Sequence, residues 1–221
     1  MKTQHKILFF LLFVCIQTVY GQKQPNTPSR ISGFLDKTQF ALGGTYHFTP
    51  IFYKLPKEPV FDPYPAFYGI YFGGTYLLAH SNDKVSLGVN AGTNISFSIG
   101  SARGGSFVAQ VPVYLVGRVG ARCTKYNEQR FGLGAGIGVN YTYLNFPYQT
   151  SSGYVDKVNT GFVAPAAMGE VSFNQGSNLA FTLRFHYNLM PMEGKLSTNS
   201  TTSEKVTFSN FGLSLLYEFG L

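Results

Sequence analysis

Apolar and small polar residues alternate without a break between Ser86 and Ile99. One set of alternating positions holds Leu87, Val89, Ala91, Thr93, Ile95, Phe97 and Ile99, and the other holds only Ser, Gly and Asn. A period of two predicts a strand with one apolar face and one small polar face. The strand exceeds the roughly 5–6 residues common in globular proteins. It suits instead the roughly 9–11 residues that a tilted strand needs to cross a bilayer.

The same alternation recurs along the chain and predicts eight strands. They are Thr38–Phe48, Ala66–Ala79, Lys84–Ile99, Ser106–Val119, Phe131–Leu144, Thr160–Phe173, Asn178–Leu189 and Val206–Leu221. The sixth has an ambiguous phase, and turning Glu170 inward sends Val171 and Phe173 outward. Because lipid leaves no backbone N–H or C=O unpaired, strands that span it must close into a barrel. We therefore predict an all-β fold: a membrane-spanning, up-and-down antiparallel β-barrel of eight strands over residues 38–221.

The connections differ in length at the two predicted ends of the barrel. Three are long, Thr49–Pro65, Asn145–Asn159 and Met190–Lys205, and two on the other side are short, His80–Asp83 and Asn174–Ser177. Long external loops and short periplasmic turns are typical of outer-membrane barrels. Gly100–Gly105 and Gly120–Arg130 depart from this rule. The pattern predicts an outer-membrane protein with both termini in the periplasm.

The first 21 residues have the composition of a secretory signal. Lys2 and Lys6 precede an apolar run over Ile7–Ile16, and Val19-Tyr20-Gly21 offers a small-residue cleavage site. The run is too short for a transmembrane helix. We expect cleavage after Gly21, followed by a polar periplasmic lead-in over residues 22–37; a lipoprotein cysteine at Cys15 is the alternative. Cleavage would leave Cys123 as the one cysteine, without an internal disulfide.

Charged residues are scarce, and their positions are informative. Asp, Glu, Lys and Arg form 12% of the chain, against about 25% in soluble domains. Apart from Lys84 at the start of the third, the predicted strands contain only Arg118, Glu170, Arg184 and Glu218. An Arg facing lipid near the midplane costs about 2–4 kcal/mol, so these side chains should face inward and need partners there. We predict a structural charge network in the lumen, formed by these four and His186, with Glu170 paired to Arg184.

The inward face of the fifth predicted strand consists of glycines. Gly132, Gly134, Gly136 and Gly138 repeat at every second position, which should make room for bulky neighbours such as Tyr71 or Tyr114. A dinucleotide loop instead needs G-x-G-x-x-G at the start of a helix. We therefore expect no nucleotide site. An eight-stranded barrel is just wide enough for side chains to fill, which favours a packed polar lumen over an open pore.

Several of these segments resemble a known family. The signal ending before Gln22, Val111-Pro112-Val113, the glycine ladder and the terminal stretch Leu213–Leu221 are similar to the eight-stranded outer-membrane β-barrels of Bacteroidota, including PorT-like barrels. The last stretch resembles the signal read by the barrel-assembly machinery, although it ends in Phe-Gly-Leu. The resemblance implies outer-membrane lipid and that machinery as partners, and a secretion-complex protein as a further one.

The sequence offers little for catalysis or cofactors. Arg184-Phe-His186 and His80-Ser81-Asn82 do not match the His-x-Ser-Asn pattern of lipid A deacylases, and no His pair has metal-ligand spacing. We expect no catalytic residue, cofactor or metal, and no nucleic-acid partner despite a net charge of +7. The alternatives are a lipid-modifying barrel enzyme, a narrow channel or carrier, and a secreted lipocalin-like binder.

The first long loop combines aromatic residues with proline. Phe52, Tyr53, Phe61 and Tyr64 lie among five prolines within Thr49–Pro65. Prolines restrict the loop, and the aromatic rings could form a docking surface for protein, glycan or lipid. The alternative is an aromatic girdle that continues above the membrane. Our expectation is thus a non-enzymatic outer-membrane barrel acting in envelope structure, surface interaction or support of a secretion assembly.

Overall fold

The computed structural model describes residues 34–49, 51–53, 66–81, 84–98, 106–124, 127–149, 155–176, 179–195 and 205–220. The predicted signal and most of the predicted lead-in lie outside these residues. A helical turn at residues 34–36 precedes the first strand. The strands are β1 Thr38–Phe48, β2 Ile51–Tyr53, β3 Ala66–Ser81, β4 Val85–Phe97, β5 Phe107–Gly120, β6 Phe131–Gln149, β7 Val155–Gly176, β8 Leu179–Asn188, β9 Met192–Lys195, β10 Lys205–Phe208 and β11 Phe211–Gly220. No helix in the described ranges is long and apolar enough to cross a membrane.

Eight strands close into an antiparallel barrel in the order β1-β11-β8-β7-β6-β5-β4-β3. Closure is made by β1, which pairs with β11 over Gln39–Phe48 and with β3 over Thr38–Phe48. Each of these eight strands therefore has two hydrogen-bonded neighbours, as lipid requires. This confirms the predicted fold class, and β1 begins and ends at the predicted residues.

The barrel wall is apolar outside and polar inside. Ile70, Ile137 and Val163 are each at least 65% exposed on the outer face. Buried positions hold Asn, Gln, Thr, Ser, Arg and Glu side chains. Glu170 is buried while Phe173 is half exposed, so the chosen phase of β7 is confirmed. A lipocalin-like barrel has the opposite orientation, with its apolar face inward, so the structure does not favour that alternative.

Aromatic pairs encircle both ends of the wall. We call the end with the connections at residues 82–84, 121–130 and 177–178 the turn end, and the opposite one the loop end. Phe40 stacks on Phe219 with ring centroids 6.0 Å apart at the turn end. Tyr46 and Tyr68 meet at 5.1 Å at the loop end. Two aromatic belts around an apolar band are the arrangement expected at the two interfaces of a membrane.

Beyond the loop end the structure differs from the prediction. The predicted eighth strand is broken, because Lys205–Phe208 leaves the barrel and forms a separate sheet in the order β2-β10-β9. The predicted loop Asn145–Asn159 is largely strand, since β6 and β7 pair as far as Gln149 and Val155. Beyond the loop end, the chain thus forms a second, smaller sheet from β2, β9 and β10, and a long hairpin from the ends of β6 and β7.

The long connection after β5 folds into the mouth of the barrel at the turn end. Residues 121–124 are all buried. Gly120 and Arg122 have φ of 83° and 67°, a left-handed conformation that reverses the chain and directs Arg122 inward. The Ala121 N–H then donates to Phe131 O at 2.9 Å. This segment departs from the short-turn rule because it is a folded plug.

Candidate functional site

The lumen brings together Arg118, Glu170, Arg184 and Glu218, the four charged residues predicted to face inward. The Glu170 carboxylate accepts from Arg118 Nε at 2.5 Å and from Arg184 Nη2 at 3.0 Å. The pair of Glu170 with Arg184 that we expected from the sequence is therefore present. The side chains are each at most 3% exposed, so the pairs are shielded from water.

Glu218 is shared by three arginines. Its Oε1 accepts from Arg118 Nη2 at 3.2 Å and from Arg184 Nη2 at 3.3 Å, while its Oε2 accepts from Arg122 Nε at 3.4 Å. The sequence analysis missed Arg122 because it lies in a predicted connection, where charges are normally solvated. Its only signal was the unusual length of that connection. Burial lowers the pKa of Arg122, opposed by the nearby Glu218 carboxylate.

Polar side chains tie this charge cluster to the rest of the wall. Gln39 Oε1 accepts from Arg118 Nη1 at 2.6 Å. Asn90 Oδ1 accepts from Arg184 Nη1 and from the Tyr71 hydroxyl, both at 3.3 Å. The Tyr71 ring also lies 5.2 Å from the Arg184 guanidinium carbon. The cluster therefore links strands on opposite sides of the barrel and fills the turn half of the lumen.

Two glycine positions make room for these bulky groups. A Cβ on Gly134 would lie 2.6 Å from Glu170 Cγ, and one on Gly92 would lie 2.5 Å from Tyr71 Cζ. Tyr71, one of the two bulky neighbours expected at the β6 glycines, rests on Gly92 of β4 instead. The β6 ladder instead accommodates Glu170 at Gly134.

Replacing Gly134 by alanine is expected to lower the free energy of unfolding by about 1–3 kcal/mol, because the methyl group would displace Glu170 from its arginines. Gly169→Ala is the matched control, since a Cβ there meets nothing within 4 Å. Urea unfolding of both variants, followed by circular dichroism in detergent, measures the difference. Equal stability of the two variants would contradict the role of Gly134.

His186 was predicted to belong to the charge network, but it lies outside it. Its ring lies against His47, with ring centroids 4.9 Å apart, above the charge cluster toward the loop end. His47 Nε2 contacts the Asn94 amide nitrogen and lies 3.0 Å from Thr45 Oγ1.

The histidine pair lacks the partners of a catalytic site. Thr45 supplies a hydroxyl beside His47, but within the described ranges no carboxylate reaches His47 Nδ1 to orient the ring. The same ranges hold no group of three or more His, Cys, Asp or Glu side chains placed to bind a metal ion.

A small cavity separates the histidine pair from the charge cluster. Tyr71, Tyr114, Arg184 and His186 are among the side chains that line it. Its volume of about 10 Å³ is enough for roughly one water molecule. The polar side chains around it, among them Asn94, Gln110 and Ser214, are buried, as the sequence indicated for the lumen.

Cys123 closes the turn end beside Arg122. The thiol is fully buried and donates to Lys84 O at 3.1 Å and to Arg118 O at 3.2 Å. Burial raises the pKa of the Cys123 thiol, which disfavours the reactive thiolate. This cysteine packs the plug and has no catalytic partner among the described residues.

The proposed loop docking surface is described only in part. Phe52 and Tyr53 belong to β2, which pairs with β10 in the small sheet. Phe61 and Tyr64 lie outside the described residues. The backbone therefore places one portion of this loop beyond the barrel, next to β10.

Comparison with known proteins gives structural neighbours alone. No family model and no curated protein matches this chain. Neisserial surface protein A is 9% identical, with 82% of this chain and 97% of that one covered and a TM-score of 0.48. OprG, an outer membrane protein of Pseudomonas aeruginosa, is 15% identical, covering 83% and 96%, with a TM-score of 0.46. Ail, the attachment invasion locus protein of Yersinia pestis, is 12% identical, covering 83% and 99%, with a TM-score of 0.41.

Proposed function

We propose that the protein is a non-enzymatic integral barrel of the outer membrane with a closed lumen and both termini in the periplasm. It anchors the loop-end sheet and hairpin at the cell surface, for envelope structure, surface interaction or support of a secretion assembly. The resemblance to Bacteroidota barrels belongs to the same proposal. The main observation behind this proposal is the buried charge cluster, which crosses the lumen of a barrel whose outer face is apolar.

The exterior supports a lipid environment. Large apolar side chains cover the outer face, and Ile70, Ile137 and Val163 lie in the middle of their strands. A monomeric soluble protein rarely exposes an apolar area of this extent. Lipid is the solvent that makes such a surface favourable.

The interior supports closure. Arg118, Arg184 and two glutamates cross the turn half of the lumen, and Arg122 and Cys123 of the plug lie beneath them. Above them, the gap next to Tyr114 and His186 holds roughly one water molecule. A solute would have to break several buried ion pairs at once, which opposes a channel or carrier.

Planar bilayer recordings test closure. The purified barrel is expected to give no single-channel steps, because the ion pairs of Glu170 and Glu218 block the lumen. A general porin in the same bilayer is the positive control. Regular steps from the native protein would contradict closure and favour the narrow-channel alternative.

Lipid A mass spectrometry tests the enzyme alternative. A deletion strain is expected to keep the lipid A profile of its parent, because His47 and His186 lack an orienting acid in the described structure. Complementation with the gene is the control for secondary effects. A changed profile restored by the native gene would contradict a non-enzymatic role.

A further inference from the structure

The buried charge cluster is not electrically balanced. Among the described residues it contains the guanidinium groups of Arg118, Arg122 and Arg184 and the carboxylates of Glu170 and Glu218. Arginine stays protonated in proteins, so the cluster has an excess of one positive charge even with both carboxylates ionised. A proton on a nearby histidine would add to that excess.

The excess charge lies where water cannot solvate it. Arg118, Arg122 and Arg184 are each at most 2% exposed. Arg122 Nη2 is buried without a hydrogen-bond partner, although its Nε is paired with Glu218. Buried charges in proteins are normally paired, because an uncompensated ion in a medium of low polarity is strongly unfavourable. The lumen therefore has the electrostatics of a site for one negative charge.

The cavity above the cluster supplies a place for that charge. Arg184 lines it on the side of the cluster, and Tyr71 and Tyr114 line it as well. Tyr114 Oη and His186 Nε2 are both buried without a hydrogen-bond partner. A phenol O–H and an imidazole N–H are donors that suit an anion. The residues that line this one small space thus include two with a buried polar atom that has no partner, and an arginine that belongs to the cluster.

We propose that this cavity binds a single small monovalent anion, chloride under physiological conditions, held by Arg184, Tyr114 and His186. The anion balances the cluster and completes the packing of the lumen. Sulfate, phosphate and organic anions are too large for a space of this volume. This proposal rests on the closed lumen proposed above and assigns an occupant to this cavity.

A neutral water molecule is the competing occupant. Water could satisfy Tyr114, His186 and the unpaired Asn140 Oδ1, which also lines the cavity. It would leave the excess charge of the three arginines uncompensated. The excess of one positive charge favours the anion over water, and the experiments below distinguish the two occupants.

Crystals of the full barrel grown in bromide give the direct test. The expected result is anomalous scattering from one bromide ion within hydrogen-bond distance of Tyr114 Oη. Density for a water molecule without anomalous signal would overturn the proposal. Such a result would leave closure of the lumen standing, since bilayer recordings test closure separately.

Urea unfolding in sodium chloride and in sodium gluconate at equal ionic strength gives the test in solution. At about ten times the dissociation constant, chloride should lower the unfolding equilibrium constant of the native barrel about tenfold relative to gluconate. Tyr114→Phe should lose most of this effect. Tyr141→Phe, which removes a hydroxyl from the outer face, should keep it and serves as the matched control.

Arg122→Met separates the charge argument from the cavity. The variant leaves two arginines and two glutamates, so the chloride effect should fall although the cavity lining is intact. A folded Arg122→Met barrel with the full chloride effect would overturn the proposal. Equal stability of the native barrel in chloride and gluconate would overturn it as well. A boiled and unboiled gel shows that each variant is folded.

Discussion

Glu170→Gln is expected to lower the free energy of unfolding by about 3–5 kcal/mol. The carboxylate pairs with Arg118 and Arg184 while nearly fully buried. Removing one partner of a buried ion pair leaves an uncompensated charge, which is far more destabilising than losing an exposed pair. Here it would leave three arginines facing the single carboxylate of Glu218.

The measurement is equilibrium urea unfolding in detergent or lipid vesicles, followed by circular dichroism. Glu128→Gln is the matched control, because Glu128 is exposed at the turn end and should change stability little. Arg122→Gln should cost less than Glu170→Gln, since it removes the excess positive charge rather than increasing it. Equal stability of Glu170→Gln and Glu128→Gln would contradict the structural role of the cluster.

Ile137→Arg is expected to cost about 2–4 kcal/mol, because Ile137 lies at mid-height of β6 with its side chain outward. Val119→Arg lies near the end of β5, also outward, and should cost only about 0–1 kcal/mol. Because both side chains face outward, the difference between the two variants reports depth in a bilayer rather than loss of packing.

Refolding of both variants into lipid vesicles, with unfolding titrations, measures this difference. Ile137→Leu controls for the loss of the isoleucine side chain itself and should be close to neutral. Similar stabilities of Ile137→Arg and Val119→Arg would contradict the assignment of the outer face to lipid.

The barrel itself was predictable because the alternation of apolar and polar positions is a local property of each strand. An apolar exterior and a polar interior force the period of two, and the strand β1 follows that pattern from end to end. The phase of β7 followed from Glu170 alone, because a charge facing lipid is too costly. The pair of Glu170 with Arg184 then followed from adjacency of two strands.

The parts that the sequence did not predict depend on contacts distant along the chain. Arg122 joins Glu218, which lies 96 residues away, through a turn that folds into the barrel mouth. His186 meets His47 over Gly212 of β11, the strand that separates β8 from β1. Alternation gives the face of each residue but not its height relative to residues across the barrel.

The break in the last predicted strand has a related cause. Val206 and Phe208 alternate as in a strand, but at even positions, out of phase with Phe211, Leu213 and Leu215 of β11. The structure separates them at Ser209 and Asn210, where Asn210 O accepts from Asn188 N–H at 3.1 Å and β10 pairs with β2 and β9. A period of two predicts strand but not which sheet the strand joins.

The central claim is that this chain is a closed barrel inserted in the outer membrane. Its most direct test is a denaturing gel of the membrane fraction, boiled and unboiled. The account predicts a band in outer-membrane material that changes mobility on boiling, because a closed barrel resists the detergent until heated. A soluble periplasmic protein with one mobility would contradict the claim and reverse the orientation of every strand.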